Sequence, residues 1–194
     1  MDDLMESIAA QLSGAPMAQL SGQLGTDGRT TQDAVKAALP LLLGALAKNS
    51  AAGGGAEALA GALDRDHDGS ILDDLGGFLA GGASPDGAAI LGHVLGTREP
   101  TVQAGIGKAT GLQKGQIAQL LQMLAPIVLG YLGKQKRQQG MNAGMLGEIL
   151  GAQTRQAQAQ NPALGALASL LDKDDDGSIV DDLGGMLGSF LSGR

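Results

Sequence analysis

The chain has 194 residues, a net charge of −7 and no cysteine, which excludes a disulfide framework and any thiolate metal site. Hydrophobic residues make up 43% but aromatics only 2%, and 33 residues are glycine. β-Branched and aromatic residues are scarce while Ala, Leu and Gln are common, so an all-α protein is expected, with helices packed closely across small residues. No basic groove with aromatic platforms is present, which argues against nucleic acid as a partner.

In chain order, MDDLMESIAAQL at 1–12 places Leu4, Ile8, Ala9 and Leu12 on one face of a short helix. It lacks the basic start and apolar core of a secretory signal, and a cytoplasmic location is expected. A second short helix opens near Pro16. A longer apolar helix over 31–48 follows, with Pro40 expected to kink it. Leu59 and Leu63 then mark a short helix before the acidic stretch DRDHDGSILDDLGG at 64–77, and Leu75, Phe78 and Leu79 mark a helix leaving it. The order recurs. Ile90, Leu91, Val94 and Leu95 form an apolar face, a helix opens near Pro100, and an apolar helix with Pro126 covers 116–134. Gln116, Gln119 and Gln122 within it indicate a buried core helix rather than an integral membrane segment. Leu164, Leu167 and Leu171 lead to DKDDDGSIVDDLGG at 172–185, and Leu183 and Leu187 follow.

This reads as a tandem duplication of a helical unit, each copy ending in a helix–acidic loop–helix motif of the EF-hand type. LPLLLGALAK at 39–48 aligns with APIVLGYLGK at 125–134 at an offset of 86, whereas the acidic loops are 108 apart. Repeat one is therefore 1–84 with its loop at 64–75. Repeat two is 85–194 with its loop at 172–183 and a 22-residue insertion within 135–160. In that insertion Met141, Met145, Leu146, Ile149 and Leu150 share a helical face, between the polar tethers KQKRQQ and AQTRQAQAQ. The preferred reading of 141–151 is an extra packing helix; the alternative is a docking helix for a protein partner or for self-association.

The D-x-D-x-D-G pattern puts carboxylates at positions 1, 3 and 5 and glycine at 6, the first half of an EF-hand loop. Alternating Asp residues in a tight turn can supply several of the six to eight oxygens that a hard divalent cation requires. Position 12, a bidentate Glu in EF-hands, is Leu75 or Leu183 here. If the exit helix starts at Ser70, Ser70 and Asp73 form a capping pair and Asp74 reaches back to the loop. The expected ligands are thus Asp64, Asp66, Asp68, the Ser70 carbonyl and Asp74 for one ion. Asp172, Asp174, Asp176, the Ser178 carbonyl and Asp182 would hold the other. The reverse assignment, with Asp73 and Asp181 closing the sites, stays open. Calcium is preferred, with magnesium the alternative. The two acidic stretches carry −9 between them and the rest of the chain +2, so each loop needs a counter-charge. His67 exchanges with Asp175 and reads as solvent-facing, and His93 has no partner nearby in sequence. No catalytic constellation is visible, and the protein is expected not to be an enzyme.

The DxDxDGSI-x-DDLGG loop, the LPLLLGALAK helix and the ILGHVLG segment together resemble the bacterial family of unknown function that includes the YidB-like proteins. The resemblance covers most of the chain, implies a helical fold and carries no activity with it. The acidic loops are also similar to dockerin and EF-hand loops in their first half only. The expected function is a non-enzymatic calcium-binding or calcium-stabilised helical protein with a structural or sensory role. The alternative is a self-assembling helical scaffold whose acidic loops only cap helices and bind no metal.

Overall fold

Two long helices organise the fold: α3, Gly28–Ala51, and α8, Lys114–Gln139. The computed structural model describes residues 4–160, which form nine α-helices and no strand. Around α3 and α8 lie α1 (Leu4–Gln11), α2 (Ala15–Leu24), α4 (Gly55–Arg65), α5 (Leu75–Ala80), α6 (Pro85–Val94), α7 (Glu99–Thr110) and α9 (Ala143–Gln160). The all-α expectation is met over these residues.

Each long helix starts at a side-chain cap. Asp27 Oδ1 accepts from the backbone N–H groups of Arg29 and Thr30, both at 3.0 Å. Its other oxygen takes the Thr30 hydroxyl at 2.7 Å. Gln113 and Gln116 form a reciprocal capping box at the start of α8. Both arrangements satisfy donors that a helix leaves open in its first turn. Pro40 and Pro126 lie inside their helices.

Every residue of α8 from Met123 to Gly133 is buried, so this segment has no solvent face. The helix is long and apolar enough to cross a membrane, yet 72% of its most apolar window is buried inside the protein, as a core helix requires. Its glutamines serve the packing. Gln116 Nε2 donates to the Leu24 carbonyl at 2.9 Å and Gln119 Nε2 to the Gln23 carbonyl at 3.2 Å, satisfying the last carbonyls of α2. In the same way Asn49 Nδ2 ties α3 to the end of α6 through the carbonyls of His93 (3.1 Å) and Val94 (2.9 Å).

The boundaries depart from expectation in two places. KQKRQQ is not a tether but the last turns of α8, and AQTRQAQAQ belongs to α9. Both runs are rich in good helix formers, which lets the helices continue past their apolar cores. Helix α9 packs on α3 and α4. Leu146 and Leu150 are fully buried, while Met145 is 45% exposed. The 141–151 segment thus contributes to the core, as the packing-helix reading expects.

Candidate functional site

The first acidic loop joins α4 to α5 and lies against the second half of α8. Leu63, 1% exposed, anchors the end of α4 in the core. Beyond Arg65 the chain turns at Gly69, whose φ of 92° is in the left-handed region that favours glycine. Asp68 Oδ1 accepts from the Ser70 N–H at 3.0 Å, closing the turn. A single 3-10 turn, Ser70–Leu72, follows.

Two glycines of α8 allow this loop to approach. Gly130 and Gly133 are three residues apart and so share a helix face. A Cβ on Gly133 would run into the His67 carbonyl oxygen, and one on Gly130 would lie 2.5 Å from Ile71 Cγ2. On the loop side, a Cβ on Gly69 would lie 2.8 Å from Lys134 Cβ. The loop backbone therefore rests directly on the α8 backbone, with Ile71 over Gly130.

The last turns of α8 then supply positive charge. Lys136 Nζ pairs with Asp64 Oδ1 at 2.6 Å, with the lysine side chain 13% exposed and the aspartate 54%. Arg137 Nη1 lies 3.4 Å from Asp68 Oδ2. Asp66 lies 4.0 Å from the Nε of its neighbour Arg65. A cleft of about 250 Å³ opens between loop and helix, lined by Asp68, Gly69, Ser70, Asp73, Lys134, Arg137 and Gln138. The Ser70 backbone N–H, then its hydroxyl and the Arg137 charge, hold the Asp68 carboxyl below the usual carboxylate range. Burial pushes the His67 imidazole below its ordinary value, against the opposing charges of Asp66 and Asp86.

Asp64 stands in the last turn of α4, Asp66, Asp68 and Ser70 follow it, and Asp74 caps α5, but their carboxylates do not converge. Among the described residues no group of three His, Cys, Asp or Glu side chains is arranged to hold a metal ion. The exit helix begins at Leu75, not at Ser70. Its cap is Asp74, whose Oδ1 accepts from the Gly77 N–H at 2.8 Å. The expected Ser70–Asp73 capping pair is therefore replaced: a 3-10 turn, not the start of the exit helix, occupies Ser70–Leu72. Asp172, Asp174, Asp176, Ser178 and Asp182 lie outside the described residues. Sequence reasoning missed Lys136, Arg137 and the glycine pair. The available signals were the i, i+3 glycine spacing and a basic run on the apolar helix's continuation.

Over the described residues these features define an all-helical fold with an acidic loop clasped to its central helix. The model of a bacterial family described as proteins of unknown function, DUF937, matches residues 6–135 and 137–192, and the chain belongs to that family. No curated protein and no solved structure matches it.

Proposed function

We propose that the protein is non-enzymatic and that its acidic loops are divalent-cation sites of the calcium type which fix how the flanking helices pack. The observation that carries this reading is the backbone of the first loop. D-x-D-x-D-G here combines a left-handed Gly69 at position 6 with an Asp68-to-Ser70 turn, leaving the carboxylates of Asp64, Asp66 and Asp68 about half exposed. Gathering an ion requires Asp64 and Asp68 to turn from Lys136 and Arg137, while the Ser70 carbonyl and Asp74 complete the shell. Asp74 can cap α5 with one oxygen and ligate with the other. Docking on Gly130 and Gly133 would pass the effect of the ion to α8.

A tandem duplication belongs to the same proposal. Residue for residue at an offset of 86, α2 and α3 fall on α7 and α8, with Asp27 and Gln113 as corresponding caps. The two stretches matched by the family model contain one acidic loop each. By this reading the segment at 172–183 is a second site built from Asp172, Asp174, Asp176, Ser178 and Asp182.

The pairs Asp64–Lys136 and Asp68–Arg137 favour a second reading, in which α8 itself neutralises the loop, no metal binds and the protein is a scaffold. Calcium titration calorimetry on chelator-stripped protein separates the two. Saturable heat with a raised Tm is expected for the cation reading, and neither at millimolar calcium for the scaffold.

A further inference from the structure

We propose that a half-buried stripe of α3 around Gly44 and Ala47 is the docking face for the chain's own second acidic stretch, residues 172–183, with Ile179 seated over Gly44. This rests on the duplication in the proposed reading and needs no ion. At the offset of 86, Ala37, Pro40, Gly44 and Ala47 of α3 correspond to Met123, Pro126, Gly130 and Gly133 of α8. With 3.6 residues per turn, these four positions fall on one stripe about 80° wide. On α8 all four are buried, whereas on α3 all four are half-buried. Leu41, Leu42 and Leu43 are buried on α3, as Ile127, Val128 and Leu129 are on α8, so the difference is confined to the stripe. On α8 the first acidic loop closes the Gly130–Gly133 end, with Ile71 over Gly130 and the His67 carbonyl against Gly133.

The occupant is written in the chain. DKDDDGSIVDDLGG differs from DRDHDGSILDDLGG only at Lys173, Asp175 and Val180, so Gly177 and Ile179 stand where Gly69 and Ile71 stand. Its acids suit Lys36 and Lys48 at the two ends of the stripe and Arg155, the neighbour of Thr154 on α9. The chain also arrives at the right place. Helix α9 runs antiparallel along α3, because a Cβ on Gly147 would lie 3.9 Å from Ser50 Oγ and one on Gly44 would lie 3.7 Å from Thr154 Cγ2. Residues 161–178 follow directly and can reach back to Gly44 even at the roughly 1.5 Å per residue of a helix. Thr154 makes only an ordinary van der Waals approach to Gly44, whereas Ile71 Cγ2 would lie 2.5 Å from a Cβ on Gly130, so α9 flanks Gly44 without filling the space over it. Ala47 carries the methyl that at Gly133 would run into the loop backbone. The second loop is therefore held at Gly44 and stands off at Ala47, a looser clasp than the first.

Because the chain has no cysteine, engineered disulfides can report the docking. A Cβ on Gly130 would lie 3.9 Å from Ile71 Cβ, within the range a disulfide bridges. Ile71→Cys with Gly130→Cys is the control pair, and Ile179→Cys with Gly44→Cys is the test pair. Both are made in the full chain, oxidised mildly in chelator, and read by non-reducing electrophoresis and mass spectrometry of the linked peptides. Both pairs are expected to close within one chain, and Ile179→Cys with Gln32→Cys to stay open, because Gln32 is exposed and lies off the stripe. An open test pair beside a closed control overturns the inference. A link between two chains also overturns it and gives the stripe to a second copy. A control pair that stays open refutes the first clasp and this inference with it. In the single variant Gly44→Cys, adding Ile179→Asp should speed alkylation of the thiol by about tenfold or more, since reactivity follows exposure; equal rates overturn the docking even where a paired variant folds poorly. Calcium calorimetry on the unaltered chain reads the cation proposal separately. A test pair that closes in chelator with no calcium heat keeps this inference and loses the cation, and calcium binding with an open test pair does the reverse.

Discussion

Replacing Gly133 by alanine adds one methyl group to the contact between α8 and the acidic loop. The methyl points at the His67 carbonyl oxygen, with the Leu63 carbonyl 3.4 Å away, and both obstacles are backbone. No rotamer change can relieve the overlap, so the loop must lift from α8 or the helix must shift. Overpacking of this kind costs about 1–3 kcal/mol, and the gain in helix propensity from Gly to Ala returns about 1 kcal/mol. The net expectation is a loss of up to about 2 kcal/mol, seen in urea as a lower midpoint with an unchanged slope. At this chain length Tm should fall by about 2–4 °C per kcal/mol. Gly22→Ala is the control, because its Cβ would meet nothing within 4 Å, and it should stabilise α2 by about 0.5–1 kcal/mol. If Gly133→Ala is as stabilising as Gly22→Ala, the loop does not rest on α8 and the clasp is refuted.

Asp74→Asn keeps a capping side chain and removes a charge, so cation-free stability should change by less than about 0.5 kcal/mol while calcium affinity drops. Asp74→Ala should additionally lose the cap, costing about 1 kcal/mol by thermal melting. The double variant Lys136→Ala, Arg137→Ala is expected to raise calcium affinity, because the ion no longer competes with α8 for Asp64 and Asp68; unchanged affinity by calorimetry would contradict the pairing. Asp68 has a depressed carboxyl pKa in the folded chain, so its stabilisation is full above the ordinary carboxylate value and is lost as pH falls through the lower folded value. Asp68→Asn should flatten that part of an acid-unfolding curve. Leu150→Ala should cost about 2–5 kcal/mol by urea unfolding, and Met145→Ser less than about 0.5 kcal/mol, since α9 buries the first side chain and exposes the second.

Periodicity located the long helices well, because α3 and α8 are buried along continuous apolar runs that no other element could accommodate. Their ends were harder to read. KQKRQQ looks like a linker by polarity, yet its residues favour helix, and Lys136 and Arg137 have partners on α4 and the loop. That pairing joins Asp64 to Lys136 across 72 residues, a distance over which local spacing carries no information. The first acidic loop was legible as a turn with glycine at its tightest point, and Gly69 occupies that point. The counter-charge it needs was legible as a requirement but not as a source. Local spacing suggested an ion as that counter-charge, whereas the packed structure places Lys136 and Arg137 against the acids. The Asp74 cap escaped because the exit helix was expected to run unbroken from Ser70, and the 3-10 turn at Ser70–Leu72 resets the phase.

Calcium titration calorimetry on chelator-stripped full-length protein, with thermal melting alongside, tests the central claim most directly. The account predicts saturable binding, with one ion for each acidic loop, and a Tm that rises with calcium. No heat and no shift at millimolar calcium would contradict it, leaving Lys136 and Arg137 as the loop's counter-ions and the scaffold reading in its place.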